Sequence, residues 1–347
     1  MKSSPTHPFV SVIIPTYNRS GLLEGTVESL LAQNYPADRF EIILVDNAST
    51  DDTRQVIARL VALNARVRRM NEPRRGAHFA RNAGATVSVG EILYFTDDDM
   101  IADPNLLSAI VVPFSMDANI GAATGRVLPK WETEPPVWVL THCRNELLSL
   151  NDLGESLIVS DHDPGVFSCH EAIRRDVFFK AGGFNPDTNA GTFVGDNETG
   201  LNIKVRNLGY RFAYVGGSVT HHVIPASRMT QTYLNSRFAD QGFCDSYTDY
   251  RKIHPSPLRL LKRITAHGVL SAATVATAGL SRLTGGTRWR VDLARLFYYR
   301  NRVRYDVRLL LHEQWRQFAL RDDWISDDGS STPAGAAAST LDGRVVQ

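Results

Sequence analysis

The chain has 347 residues, enough for one large or two modest domains and for a core that needs no covalent staples. It is 43% hydrophobic and 22% charged, which excludes collagen-like, coiled-coil and wholly disordered chains. The 38 Lys and Arg against 37 Asp and Glu leave a net charge of +1, and no global field argues for nucleic acid as a partner.

The apolar stretch near the N-terminus is interrupted by Ser11 and ended by Pro15, so no signal peptide is read there. Residues 10–14 are expected as a buried strand, followed by a helix with Leu23, Val27, Leu30 and Leu31 at helical spacing. Residues 41–45 read as a second buried strand ending at Asp46. Ser49 and Asp52 have capping-box spacing before a helix carrying Val56, Ile57, Leu60 and Val61. A short strand at 67–70, a helix at 78–87 and a buried strand at 91–95 follow, the last leading straight into Asp97, Asp98 and Asp99. Asp103 and Pro104 read as the N-cap and first turn of the next helix, and 120–127 as a strand.

This alternation predicts an α/β fold with a mostly parallel central sheet flanked by helices. Ligands of such sheets bind beyond the carboxyl ends of the strands. Thr16, Tyr17, Asp46 and the three aspartates all fall there. Further on, Leu201, Val205 and Leu208 mark a helix ended by Gly209, and strands at 210–215 and 218–219 precede His221 and His222.

Three adjacent carboxylates repel one another, and a divalent cation relieves that repulsion; an oxygen-rich set suits Mn²⁺ or Mg²⁺. Asp196 and Glu198 open a helix, where acids suit the dipole and where an N-cap carboxylate can also act as a base. One of the paired histidines is expected to complete a metal site. Arg81 and Arg228 are natural bidentate partners for a diphosphate. A GxGxxG after the first strand, a GxxxxGK[ST] and a GxSxG are all absent, which removes the main support for Rossmann dehydrogenases, P-loop enzymes and nucleophile-elbow hydrolases. The cysteines, Cys143, Cys169 and Cys244, are odd in number and form no CxxC pair, as expected of a reducing, cytoplasmic compartment.

Residues 251–310 hold 13 Lys or Arg against two Asp, a net of +11, with Leu258, Leu260, Leu261, Trp289, Phe297 and Tyr298 interleaved. Such a segment is expected to dock on anionic lipid at a membrane surface. The last residues, from 322 onward, are low in complexity and expected to be disordered.

Taken together, residues 10–33, 41–53, ARNAGA at 80–85, TDDDM at 96–100 and GDNETGLNIKVRNLGY at 195–210 resemble glycosyltransferase family 2, with the GT-A fold. The resemblance spans about residues 10–230. It implies a GT-A catalytic domain over 1–235, split into a nucleotide-binding half (1–130) and an acceptor and catalytic half (131–235). A helical basic extension (236–320) and a disordered tail (321–347) complete the expected organisation. It further implies an inverting enzyme that moves one sugar from a nucleotide-diphosphate sugar to a hydroxyl of a glycan or lipid-linked glycan, as in cell-surface polysaccharide or glycolipid synthesis. Thr16, Tyr17, Asp46, Arg81, Asp97 and Asp98 are thereby assigned to the nucleotide and Arg228 to the diphosphate. Asp97, Asp99 and His221 are assigned to the metal, His170 and Glu198 to the acceptor region, and Asp196 to the general base. A cytoplasmic location, peripheral on the membrane face, goes with this. Two departures stand out: Gly195 replaces the glutamate before Asp196, and His170 replaces an asparagine. No QxxRW motif is present, against a processive synthase. A non-catalytic nucleotide-sugar-binding scaffold and a sugar nucleotidyltransferase are the alternative readings.

Overall fold

A computed structural model of the chain describes residues 7–143, 148–186 and 195–325. The chain divides into two compact units. The first comprises residues 1–133, 148–184 and 198–225; the second comprises 134–147, 185–197 and 226–347.

The first unit is built on a nine-stranded sheet of β1 (Val10–Thr16), β2 (Phe40–Asp46), β3 (Val67–Asn71), β4 (Ile92–Thr96), β5 (Met100–Ala102), β6 (Ile120–Trp131), β7 (Leu157–Ser160), β8 (His170–Arg174) and β9 (Arg211–Ile224). Strand order is β3-β2-β1-β4-β8-β6-β9-β5, with β7 also on β9. The expected parallel run is present in β3, β2, β1 and β4. Beyond β4 the sheet is mixed: β8 lies antiparallel between β4 and β6, β9 runs parallel to β6, and β5 and β7 run antiparallel to β9. β1 and β2 are buried along their whole length, because helices cover both faces of a sheet made by β-α crossovers.

Helices α1 (Ser20–Leu31), α2 (Thr53–Leu63) and α3 (Ala77–Thr86) connect the first four strands. The core on one face gathers Val10, Val12, Ile14, Ile42, Leu44 and Tyr94 with Leu23, Val27 and Ile57 of α1 and α2. On the other face α3 approaches β1 and β2 so closely that a Cβ on Gly84 would stand 2.6 Å from Ile13 and 3.0 Å from Val45. In the same ARNAGA segment, Asn82 uses both ends of its amide, donating to the Phe184 carbonyl and accepting from its N–H, each at 2.9 Å. Helices α4 (Leu106–Ile110) and α5 (Val112–Met116) precede β6. Asp103 does not cap α4, whose N-cap is Asn105 without a side-chain bond. Nor does Ser49 cap α2: Asp51 accepts from the Thr53 N–H at 3.0 Å, while the Ser49 N–H binds Asp46.

Helices α6 (Val137–His142), α7 (Arg175–Lys180) and α8 (Asn197–Asn207) punctuate the later strands. The second unit contains α9 (Gln231–Ile253), α10 (Pro257–Leu283), α11 (Trp289–Leu311) and α12 (Glu313–Leu320). Its core is aromatic: Phe243, Tyr247, Tyr305, Trp315, Phe318 and Trp324 pack together. Ordered chain therefore reaches past the expected tail boundary, since Trp324 is buried against Phe318 with ring centroids 5.1 Å apart. The remainder of the expected tail, 326–347, lies outside the described residues.

Candidate active site

The loops after β1 and β2 are laced together. Asn18, in left-handed conformation at a φ of 51°, donates its N–H to Ser49 Oγ at 3.2 Å and accepts from the Thr50 N–H at 2.8 Å. Thr53 Oγ1 accepts from the Arg19 N–H at 3.0 Å. These bonds hold the carboxyl ends of the two strands as one rim.

On that rim Asp46 is buried, with one carboxylate oxygen accepting from the Ser49 N–H at 2.9 Å and the other from Arg54 Nε at 2.7 Å. Thr16 is buried and its hydroxyl donates to Asp98 at 2.6 Å, while the Asp98 carbonyl accepts from Thr26 Oγ1 at 2.9 Å. Burial and the neighbouring Asp99 push the Asp98 carboxyl up to about 7. Thr16 and Asp98 thus brace β1 against the turn after β4, where the sequence reading had assigned both to the nucleotide. Tyr17 lies beneath Arg75, whose guanidinium carbon is 3.9 Å from the ring centroid. Nothing in the sequence pattern marked Arg75.

Arg81 is buried and joins two groups: it is hydrogen-bonded to Asp97 and lies 3.2 Å from Nδ1 of His78. His78 stacks on Phe184 at 4.6 Å and places Nε2 3.6 Å from Glu198. Burial disfavours the Glu198 charge, but its contact with His78 outweighs this and the carboxyl lies below its ordinary value. The result is a continuous polar chain, Asp97–Arg81–His78–Glu198, running from the rim to α8.

The structure corrects the histidine assignment. β9 pairs with β5 so that Met100 faces His222 and Ile101 faces His221. Successive side chains on a strand point to opposite faces. His221 therefore turns to Asp103, at 3.3 Å, and His222 turns inward to Asp99, at 3.6 Å. Nδ1 of His222 lies 2.8 Å from the Leu148 carbonyl, which only accepts. Nδ1 is then the donor, and Nε2 is the ring atom that faces Asp99. The 3.6 Å separation is slightly beyond the roughly 3 Å between neighbouring ligands on one small cation. One carboxylate and one imidazole fit the donor chemistry of Mn²⁺. No group of three or more His, Cys, Asp or Glu side chains assembles as a metal cage among the described residues.

His170 is also corrected. It is wholly buried between the Tyr94 hydroxyl, at 2.7 Å, and the Ser218 carbonyl, at 3.2 Å. Burial pulls it down to about 4, so it is a neutral histidine of the core. The adjacent residue is the one the sequence reading missed. Glu171 pairs with Phe95, on the opposite face from His170, and is 0% exposed. Neither of its carboxyl oxygens has a hydrogen-bond partner among the described residues. Burial, then Glu198 and Asp163, push this carboxyl well above its ordinary value despite Arg81. Residue type in an apolar strand was the only available signal.

In the second unit Asp196 is 1% exposed and immediately precedes α8. Its two oxygens accept from Asn185 Nδ2 at 2.6 Å and Thr248 Oγ1 at 2.9 Å. The residue before it has no room for a side chain: a Cβ on Gly195 would stand 2.4 Å from the Pro186 carbonyl. The missing glutamate is thus explained by close backbone packing. Arg228 is half-buried on the 3-10 turn Ala226–Met229.

Residues 11–181 match the family model described as glycosyl transferase family 2. The chain belongs to glycosyltransferase family 2. It is an enzyme of the transferase class with a GT-A fold. Among characterised relatives, the glucosyl-dolichyl phosphate glucuronosyltransferase of Haloferax volcanii is 27% identical over 253 residues, 69% of this chain and 77% of that one. Glycosyltransferase AglE of the same organism is 36% identical, but over 27% of this chain and 31% of its own length. The poly(ribitol-phosphate) β-N-acetylglucosaminyltransferase TarS of Staphylococcus aureus is 28% identical over 44% of this chain and 28% of its own. Apart from the first, the match spans about a third or less of these relatives. In three dimensions the chain is similar to the mannosyltransferase PcManGT of Pyrobaculum calidifontis in complex with GDP-Man and Mn²⁺, with a TM-score of 0.57 at 21% identity over 87% of this chain and 88% of that one. Similarity to GalNAc-T7 with UDP, GalNAc and Mn²⁺ has a TM-score of 0.50 at 19% identity, over 72% of this chain and 51% of that one.

Proposed function

We propose that this transferase moves one glycosyl residue, with inversion, from a nucleotide-diphosphate sugar to a hydroxyl of a glycan or lipid-linked glycan. The observation that carries the reading is the meeting of Asp99 and His222 at the carboxyl edge of the sheet, beside Asp97 and the laced rim. Two protein ligands suit a cation that the donor's own phosphates complete, as is usual for Mg²⁺-like sites. Asp99 and His222 would hold that cation, Mn²⁺ or Mg²⁺, with Asp97 oriented by Arg81. When bound, it neutralises charge on the departing diphosphate. His222 takes the place in this proposal that the sequence reading gave to His221.

The remaining roles fall to this chain's own side chains. Tyr17 and Arg75 offer a stacked surface at the end of β1, and Arg228 offers a bidentate donor for a phosphate. Asp196 accepts the proton of the attacking hydroxyl as the oxygen–anomeric-carbon bond forms and the bond to the diphosphate breaks on the opposite face. Asn185 and Thr248 fix the direction of its carboxylate. The related glucuronosyltransferase acts on a dolichyl phosphate-linked sugar by its name, which supports a lipid-linked acceptor and a place at a membrane face.

Calorimetric binding of UDP, GDP, dTDP and CDP, each with and without Mn²⁺, tests the reading. One nucleotide is expected to bind tightly in the presence of metal only, and the matching nucleotide sugar to be turned over. Metal-independent binding, or none of the four binding, would remove Asp99 and His222 from the donor site.

A further inference from the structure

α10 carries its apolar surface on the outside. The residues it buries are Leu260, Thr274 and Ala278, and His267 on the same stripe stacks on Tyr299 of α11 at 5.9 Å. Its outward positions recur every three or four residues and include Leu258, Leu261, Val269, Ala272, Ala276 and Leu280. Val269 is 65% exposed, Leu280 66% and Leu283 86%. No Asp, Glu, Lys or Arg occurs from 264 to 281. A water-facing helix has the reverse pattern, with charges outside and aliphatics inside.

The helix is long and apolar enough to cross a membrane, yet only 11% of its apolar stretch is buried. A core helix of a soluble domain would be mostly buried, and a signal sequence would stand at the N-terminus; α10 is neither. It also cannot leave its neighbour to span a bilayer alone without cost. Arg263 of α10 makes a bidentate pair with the buried Asp306 of α11, at 2.7 and 3.1 Å. Dragging that pair into hydrocarbon would be expensive. The two ends of the uncharged face carry Arg259 and Lys262 on one side and Arg282 and Arg288 on the other. Trp289 lies between Arg282, at 5.1 Å, and Arg290, at 4.7 Å, an amphipathic cluster of the kind that sits at headgroup level.

We propose that the outward face of α10 inserts, in the plane of the membrane, into an anionic lipid bilayer. Leu258, Leu261, Val269, Leu280 and Leu283 enter the acyl boundary, and the flanking arginines meet phosphate headgroups. This deepens the membrane-face placement above and changes its physics. In the sequence, attachment rested on the +11 charge of residues 251–310 together with interleaved leucines and aromatics. Four of the basic side chains are held in pairs within the unit: Arg302 with Asp249, Arg295 with Asp292, Arg263 with Asp306 and Arg251 with Asp322. With its aliphatic side chains outermost, attachment through α10 is mainly hydrophobic and resists salt, whereas a purely electrostatic attachment is screened.

The test is sedimentation of the full chain with phosphatidylcholine vesicles containing phosphatidylglycerol, at about 0.1 M and about 0.5 M salt. The wild type is expected to stay bound at the higher salt. The double variant Val269→Glu, Leu280→Glu is expected to partition about tenfold more weakly or worse, from two lost aliphatic insertions and two added charges. Both sites are exposed, so circular dichroism should show the variant folded. An Ala276→Trp variant gives a second reading, with its fluorescence quenched by brominated acyl chains. Release of the wild type by salt alone, unchanged binding of the double variant, or absence of quenching would overturn the proposal. So would a vesicle-free dimer that the double variant dissociates, which would make the occupant a second copy of this chain. Vesicle binding needs neither donor nor acceptor, so failure here leaves the transferase reading standing, and failure of turnover leaves this one standing.

Discussion

The β1–β4 sheet and α10 are both rich in aliphatic residues, and they use them in opposite ways. In β1 and β2 every residue is buried, and helices on both faces make the apolar run a core. In α10 only a narrow stripe of Leu260, Thr274 and Ala278 is buried, and Leu258, Leu261, Val269, Leu280 and Leu283 are left outside. Apolar content alone therefore does not say where a segment goes. What differs is the covering: the crossover helices return over the sheet, while α11 covers only one side of α10.

The largest effect expected from breaking this division of labour lies in the chemistry. Asp196→Asn should lower transfer by about 10²- to 10⁴-fold, the usual range for losing a general base. Nucleotide affinity by calorimetry should hardly move. Transfer at the parental rate would take Asp196 out of the base role.

The histidine pair gives the next largest contrast. Asp99→Ala or His222→Ala should weaken Mn²⁺-dependent nucleotide binding by about tenfold or more, as loss of a ligand or of a charge-assisted contact does. His221→Ala should leave it within about twofold, since this half-buried side chain turns to Asp103 and away from Asp99. The reverse ranking would restore His221 to the metal.

Two helical glycines sharpen the comparison through stability. Gly84→Ala forces a methyl against Ile13 and Val45 and should cost about 1–3 kcal/mol by overpacking. Gly268→Ala on α10 meets nothing within 4 Å and should stabilise by up to about 1 kcal/mol, because alanine loses less backbone entropy in a helix. Urea unfolding midpoints of the two variants check both signs.

The smallest effect is pH-dependent and concerns Glu171. Its carboxyl is raised well above its ordinary value of 4.5 in the folded chain, so the folded state holds a proton that the unfolded state releases. Stability from this group is complete below 4.5 and lost as pH rises through the folded value. Glu171→Gln removes that dependence. The melting-temperature gap between variant and wild type should widen in the variant's favour as pH rises from about 4 to about 8. A constant gap would mean Glu171 is ionised or partnered in the fold.

Local spacing alone located β1, β2, β4 and the helices between them, because strands buried on both faces leave uninterrupted aliphatic runs. It also placed the polar residues at the strand ends, since a parallel sheet has one ligand-binding edge. The sequence by itself determined that edge and its acidic triplet. Tertiary structure decided which acid meets which histidine: strand register turned His222, not His221, to Asp99. It put His170 into the core and Glu171 on the other face, because a strand sends neighbouring side chains to opposite faces. It showed Gly195 to be a packing necessity against Pro186. And it left Leu258 and Leu261 of α10 outside while burying Leu260, three leucines that the pattern of 251–310 had not told apart. Spacing fixes which face a residue occupies within its own element; which faces become interior depends on the elements that cover them.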